Sequence, residues 1–338
     1  MGTRAARQLV SSPEVGEVVV IDREVRRAED IARALGPVAV HRAAHPDALD
    51  GLSALLIAAP LEGMKTSADG TGKARARPSP LTHAVRAGVP VVAVTDRIPE
   101  VEALLALDGM ARASGGVVVA GAAMAPGVTD VLARWAAAEF DAVEEVHVAK
   151  AGTGGPACAR QHHRALREES LDWRDGQWAR RAGGSGRELV WFPGPSGGQD
   201  CYRAGLPDAL LLVRAFPGVG RVTARVAATR RDRVSAPLPM LRPPHPEGEV
   251  GAVRVEVRGR RGGERHTVVL GVSGPPAVCA GAVAAASVLW ALRGGLSGPG
   301  AGGLSELVGD PGPFLAELAR RGVSVEAFEG RQAPRALA

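Results

Sequence analysis

The sequence predicts an α/β protein: a doubly wound parallel sheet with its first strand missing, then a second α+β domain on a mixed or antiparallel sheet. Three observations predict it. Up to about residue 140, short apolar runs alternate with helical patterns, as in parallel strands joined by crossover helices. From about residue 142 the strands lengthen and alternate, with Gly- and Pro-rich connections, as in a sheet packed on one face. Finally, the chain opens directly on a helix, with Gly2 in its first turn and an acidic residue, Asp22, 20 positions later.

The opening helix runs from Gly2 towards Leu9, and the apolar strand Glu17–Ile21 ends at Asp22. That spacing separates the last glycine of a dinucleotide-binding fingerprint from the acidic residue that holds the adenosine ribose. The strand expected before Gly2, and the first two glycines, are not in the sequence. In a doubly wound sheet that strand is central and paired on both sides, so its loss leaves ladder groups unpaired. A GTG codon encodes valine and also initiates translation, so the expectation is that Met1 stands for a valine and that a Gly-x-Gly strand is encoded upstream. Genuine loss is the alternative.

Further strands are expected at Val38–His41, Ser53–Ala59, Val89–Val94 and Gly116–Ala120, and helices at Glu24–Leu35, Leu81–Ala87, Glu100–Ala113 and Gly127–Glu139. The segment Lys65–Pro80 is too polar for a core and reads as a loop. In the second domain, Arg221–Ala228, Gly251–Arg258 and Arg265–Val272 read as strands, and Ala277–Leu292 and Pro313–Arg320 as helices. Val323–Phe328 reads as a closing strand. The expected boundaries are 1–141 for the first domain, 142–330 for the second and 331–338 for a flexible tail.

Composition narrows the function. At 338 residues, 46% apolar and mean hydropathy +0.03, the chain has the length and balance of a globular protein of one large or two modest domains. The net charge of +5 and pI near 9.7 come almost wholly from dispersed arginines, since only Lys65, Lys73 and Lys150 are lysines. With aromatics at 3%, no clustered nucleic-acid face is expected; a polyanion-binding role rests on pI alone. Cys158, Cys201 and Cys279 show no C-x-x-C spacing, which argues against a disulfide framework or zinc ribbon and fits a reducing cytoplasm. The longest apolar run, Ala277–Leu292, is shorter than the roughly 20 residues of a membrane span. No signal peptide and no membrane association are expected.

Several segments together resemble the saccharopine dehydrogenase (saccharopine reductase-like) family of NAD(P)-dependent oxidoreductases. They are the helix and strand ending in Asp22; the Gly-rich strand exit Gly121–Asp130 with its Pro126-Gly127-Val128-Thr129-Asp130; Trp191-Phe192-Pro193 leading to Asp200-Cys201-Tyr202-Arg203 and Phe216-Pro217-Gly218; and the apolar helix followed by Leu304-Ser305-Glu306. The resemblance spans nearly the whole chain and departs at the missing first strand, at the Lys65–Pro80 insertion and in a compact second domain. It implies a Rossmann domain followed by a substrate and dimerisation domain, a homodimer, NAD or NADP as cofactor, and hydride transfer at a carbon–nitrogen bond of a carboxylate-bearing substrate. A catalytically silent Rossmann-fold relative, acting as a ligand sensor or scaffold, is the competing reading.

Candidate site residues follow. Gly2 permits close packing near a pyrophosphate; Asp22 would accept both ribose hydroxyls, and Arg23 would instead pair a 2′-phosphate, so NAD and NADP both stay open. Asp22 as a plain helix cap is the structural alternative. Ala58-Ala59-Pro60 and Thr95-Asp96 end parallel strands, where ligands gather, and Pro126 precedes a helix whose N–H groups could hold an anion. The stretch Gly152–Arg164 opens a helix carrying Arg160 and Arg164 on one face, a carboxylate clamp, and His162 and His163, candidates for the acid–base group. Asp200 and Tyr202 share a strand face and would flank a substrate amine, and Arg231 offers a further carboxylate anchor. For each, a solvated or salt-bridged surface role is the alternative. Lys150 ends the strand entering the second domain. No metal is expected, because adjacent histidines without a spaced carboxylate make a poor site.

Overall fold

The computed structural model describes residues 1–61, 79–238, 240 and 248–328. Most of the Lys65–Pro80 loop, and the expected tail, lie outside them. The first part of the chain forms α1 (Gly2–Val10), β1 (Val18–Val20), α2 (Val25–Leu35), β2 (Ala39–His41), β3 (Leu55–Ile57), α3 (Pro80–Arg86), β4 (Val91–Ala93), α4 (Ile98–Leu105), α5 (Asp108–Ser114), β5 (Val117–Ala120) and α6 (Val128–Ala137). Strand and helix alternate as expected, and all strand pairings are parallel. The expected helix over Glu100–Ala113 is divided. At Leu107 the backbone tightens to a bond with Leu104, and Asp108 opens α5 with its carboxylate accepting from Arg112 (2.8 Å).

The second part forms β6 (Ala142–Ala151), α7 (Pro156–Ala165), β7 (Ser170–Arg174), β8 (Gln177–Arg181), β9 (Glu188–Trp191), β10 (Gly198–Arg203), α8 (Asp208–Ala215), β11 (Arg221–Ala227), α9 (Arg230–Ser235), β12 (Gly251–Arg261) and β13 (Glu264–Gly274). The chain ends in α10 (Pro276–Leu292), β14 (Gly300–Gly302), α11 (Leu304–Leu307), α12 (Pro311–Arg320) and β15 (Glu326–Ala327). A mixed sheet runs β15-β13-β12-β6-β11-β10-β9, with β7 beside β11 and β8 beside β7. Only β6 and β11 are parallel neighbours in it.

Alternation assigns this sheet two faces. Val146, Val148, Val253, Val255, Val257, Leu270 and Val272 join one core with Leu132 of α6, Leu212 of α8, Leu289 of α10 and Phe314 of α12. The other face carries charge ladders, such as Glu256 between Arg254 and Arg258.

Strand β14 lies in the region assigned to the second domain from sequence, yet it pairs with β5 in the order β14-β5-β4-β3. Gly-Ala-Gly has little strand propensity, which is why the pattern conceals it. The glycines are required by space: a Cβ on Gly300, at φ +143°, would stand 2.8 Å from Asp108 Oδ1. Asp108 in turn accepts the Ala301 amide (2.8 Å), tying α5 to this strand.

The parallel strands form two ladders among the described residues. Strands β1 and β2 pair only with each other, and β3 is the edge of the four-stranded ladder. Helix α1 joins the two. It touches β1 and α2 on one side and α10 on the other, and Gly2 reaches Ala58 just beyond β3, where an added Cβ would lie 3.2 Å from that side chain. Arg321 fastens α1 by donating to Gln8 Oε1 (3.0 Å) and to Ser12 Oγ (3.1 Å). The close approach of α1 to α10 depends on Gly281, whose Cβ would stand 2.8 Å from Arg4 Cβ and 3.0 Å from the Ala5 nitrogen. Gly281→Val is therefore expected to push the helices apart at about 1–3 kcal/mol. Urea melting checks the magnitude, and hydrogen exchange should show protection lost first in α1.

Candidate active site at the junction of the two sheets

The site forms where the carboxyl ends of β4 and β6 meet. Beyond β4, Thr95 Oγ1 donates to the buried Glu100 (2.6 Å), and Arg97 donates to the same carboxylate (3.2 Å), which fixes the strand exit. The next residue, Asp96, accepts from Lys150 Nζ at 3.1 Å. Lys150 is held in place by β6, where it lies across from Val226 of β11 and Val253 of β12. Its side chain is 14% exposed and that of Asp96 25%. Burial works against the lysine's charge, but Asp96, Cys158 and Asp208 outweigh it, and its pKa lies above the ordinary lysine value.

Helix α7 supplies the rest of the site. Gly155, at φ +104°, and Pro156 start it. Gln161 Nε2 reaches the Asp96 carbonyl (3.5 Å), leaving Gln161 Oε1 buried without a partner among the described residues. His162 Nδ1 is likewise buried and unpartnered. Burial first, and then the charge of Lys150, lower the His162 pKa from 6.5 to about 4, so the ring is neutral near neutral pH. Burial raises the Cys158 thiol, with Lys150 pulling the other way. Two orphaned polar atoms beside an ion pair are what a polar ligand would satisfy.

Behind Lys150 lie two fully buried carboxyls. Asp208, opening α8, accepts from Thr129 Oγ1 (3.0 Å), and Asp130 of α6 accepts from Ser305 Oγ (3.5 Å). Burial raises both pKa values, and the Asp208 charge raises Asp130 further.

At the start of the chain, Met1 lies near Arg27 and Cys158, and Ala58, Ala59 and Pro60 are exposed beyond β3. The first amides of α1 lack carbonyl partners by the geometry of a helix start. Asp22 Oδ1 accepts the Glu24 amide (3.0 Å) just before α2, and Arg23 beside it is exposed. Pro126 is buried, its ring standing where a Gly121 side chain would be (2.4 Å). The following amides of Val128 and Thr129 donate to the Ala123 and Met124 carbonyls (3.0 and 3.4 Å), so they are taken up by the loop rather than open to an anion.

The remaining sequence-predicted residues lie apart from the Lys150 pair. His163 Nε2 contacts the Leu238 carbonyl (2.7 Å). Asp200 pairs with Arg187 (2.9 Å), and Tyr202 is buried beneath the Arg233 guanidinium (4.2 Å). Arg231 is exposed on α9, and Arg160 and Arg164 have no side-chain partner among the described residues. In the sequence Asp96 stands only as the companion of Thr95, and Gln161 and Cys158 carry no assigned role within the Gly152–Arg164 stretch. Their only sequence signals were the place of Asp96 after Thr95 at a strand end and of the other two on the helix with His162. Among the described residues no group of three or more His, Cys, Asp or Glu could hold a metal ion, and no helix is long and apolar enough to cross a membrane.

Parallel ladders plus a separate mixed sheet make this an α/β fold of Rossmann-like type. The chain is similar to apo saccharopine dehydrogenase (L-Glu forming) from Saccharomyces cerevisiae, with TM-score 0.66 and 15% identity over 97% of this chain and 98% of that one. Slighter likenesses, too weak to argue from, are to an amine dehydrogenase from Mycobacterium smegmatis (TM-score 0.45, 11% identity, 91% and 93% covered) and to GenD2 from gentamicin A biosynthesis in complex with NAD (0.43, 15%, 98% and 94%). No family model matches the sequence, and no curated protein is significantly similar to it.

The depressed pKa of His162 has a direct consequence. The unfolded chain binds this proton below about pH 6.5 and the folded chain only near pH 4, so stability should rise with pH between those values. His162→Gln is expected to flatten the pH dependence of urea stability in that window by up to ~1.4 kcal/mol per pH unit.

Proposed function

We propose that the chain is an NAD(P)-dependent oxidoreductase acting at the carbon–nitrogen bond of an amino-acid-like substrate. The observation that carries this reading is the Lys150–Asp96 pair beside the orphaned atoms of His162 and Gln161, at the carboxyl ends of strands in a dehydrogenase fold. Ligands gather at that edge of a doubly wound sheet. The protein of like fold is named a saccharopine dehydrogenase, and the sequence motifs resemble that family.

The residues fit a dinucleotide. Gly2 lets the start of α1 approach the exposed Ala58 end of β3, and Asp22 with Arg23 stands where β1 ends. When bound, the nicotinamide supplies or accepts the hydride. Lys150 supplies positive charge for a substrate carboxylate. Neutral His162 is an acceptor for a proton on the substrate nitrogen, and Gln161 Oε1 orients that N–H. Asp96 keeps Lys150 protonated, so the lysine binds rather than titrates. Arg160 and Arg164 on α7, unpaired among the described residues, are further carboxylate anchors, as is Arg231. His163, Asp200 and Tyr202 stay as candidates that would need a substrate-induced movement to take part.

The test is equilibrium titration of NADH and NADPH, followed by isotope-labelled hydride transfer to mixtures of amino acids and oxo-acids. Binding with transfer supports the enzyme. Binding without transfer to any such mixture favours the silent sensor or scaffold. His162→Gln is expected to lower kcat by about 10²–10⁴-fold with cofactor binding retained, and Lys150→Met to raise KM for the carboxylate substrate.

A further inference from the structure

We propose that β9 is a docking edge for a second copy of this chain, the two β9 strands pairing antiparallel about a two-fold axis through Leu189. Such a dimer requires nothing of the oxidoreductase reading.

Backbone accounting exposes the edge. Strand β9 ends the mixed sheet and pairs only with β10 among the described residues. In an antiparallel ladder, successive residues turn their amide and carbonyl to alternate sides. The Asp200 carbonyl accepts the Ala228 amide (3.0 Å), so Gln199 and Cys201 face β9 and engage Val190 and Glu188. The amides and carbonyls of Leu189 and Trp191 therefore point outward, unpaired among the described residues. Their side chains are open too, Leu189 at 61% and Trp191 at 63%, while Val190 on the opposite face is buried with Ala149 and Cys201.

The other free edges of this sheet are guarded. Strand β8 holds Trp178 against Trp173 (4.9 Å between rings) and ends in Arg180-Arg181. The stretch of β13 beyond its short pairing with β15 carries exposed Glu264, Arg265 and His266. Charges of that kind keep an edge solitary, and β9 presents Leu and Trp instead.

The strip complements itself. Trp191 turns one ring face to Gly198, where an added Cβ would stand 3.2 Å away, and leaves the other face open. Arg187, on the same side of the strand, is exposed and pairs with Asp200 (2.9 Å). A two-fold axis through Leu189 sets Trp191 opposite the partner's Arg187 and Leu189 opposite the partner's Leu189. Guanidinium then meets indole, a cation–π pair, on both sides of an apolar centre. This complementarity of cation and ring selects a second copy as the occupant, because one strip holds both halves at the spacing a two-fold requires. The strip is short, below about 1,200 Å² in total, so the dimer dissociates on dilution.

The experiment is sedimentation of the full chain across a concentration series from about 1 to 200 µM. The dimer fraction is expected to grow with concentration. Leu189→Lys sets two ammonium groups against each other at the axis and should weaken association at least about tenfold, with the melting temperature unchanged. Val234→Lys, at an exposed apolar residue of α9 (71%), should leave association as it was. Mild oxidation of Leu189→Cys should give covalent dimer beyond that of the unsubstituted chain. Hydrogen-bonded ladder partners stand about 5.5 Å apart between Cα atoms, a span that a disulfide closes. Trp191→Cys should give none, since its two copies lie about 13 Å apart along the ladder. A chain that is monomeric throughout overturns the proposal and leaves the edge to a foreign strand. So does a dimer indifferent to Leu189→Lys, one equally sensitive to Val234→Lys, or cross-linking through Trp191→Cys in place of Leu189→Cys.

Discussion

The contact on which the site depends is the ion pair between Asp96 and Lys150, because it joins the exit of a parallel strand to the end of a strand in the mixed sheet. Neither partner is well solvated, and removing a lysine from water is costly unless an anion accompanies it. The aspartate therefore selects one spacing between the two strand ends. Helix α7, starting at Pro156 after the Gly152–Gly155 turn, places Gln161 against the Asp96 carbonyl. The neighbouring His162 then takes up a position close enough to Lys150 for the ammonium to oppose its protonation. Burial first, and this ammonium second, keep the ring neutral.

A second constraint comes from the divided parallel sheet. A ladder that continued from β1 to β3 would join the two parts by backbone hydrogen bonds. Among the described residues that continuity is supplied by side-chain packing instead, through α1 wedged between α2 and α10. The bareness of Gly281 and Gly2 follows from this. Each lies where α1 approaches another element too closely for a side chain to stand without movement. Helix packing of this kind is less directional than a hydrogen-bonded ladder, so Arg321 and the Arg293–Glu14 pair, reaching from the C-terminal elements back to residues 8–14, add the missing anchorage.

Most of the fold is legible in the sequence because apolar periodicity records burial. The valine runs of β1, β4 and β5 and the alternation of β12 and β13 announce themselves, and so does the wholly buried α10. Strand β14 does not, since Gly-Ala-Gly lies where it does for want of space rather than for strand preference. The break at Leu107 is also silent, because it serves a contact between Asp108 and a strand nearly 200 residues away. The site is less legible for the same reason. His162 could be singled out by its chemistry, but its difference from His163 is one of direction. One ring is buried beside a lysine and the other meets a surface carbonyl at Leu238. Asp96 and Lys150 lie 54 positions apart, and nothing in either segment records the other.

The charges behind the site form an ordered series that explains why Lys150 can remain an ammonium in so dry a place. Asp96, in contact with it, and Asp208 both favour its charge. Asp208 is partly relieved in return, since Lys150 opposes the rise that burial imposes on it. Asp130 has no such relief. It faces burial and the charge of Asp208 together, with only Ser305 and the Gly127 amide to set against them. Burial thus pushes both carboxyls up, Asp208 against the pull of Lys150 and Asp130 with the charge of Asp208 added. Because Ser305 contacts Asp130 from α11, the segment that returns to the first sheet is coupled to the same charge balance that sets the site.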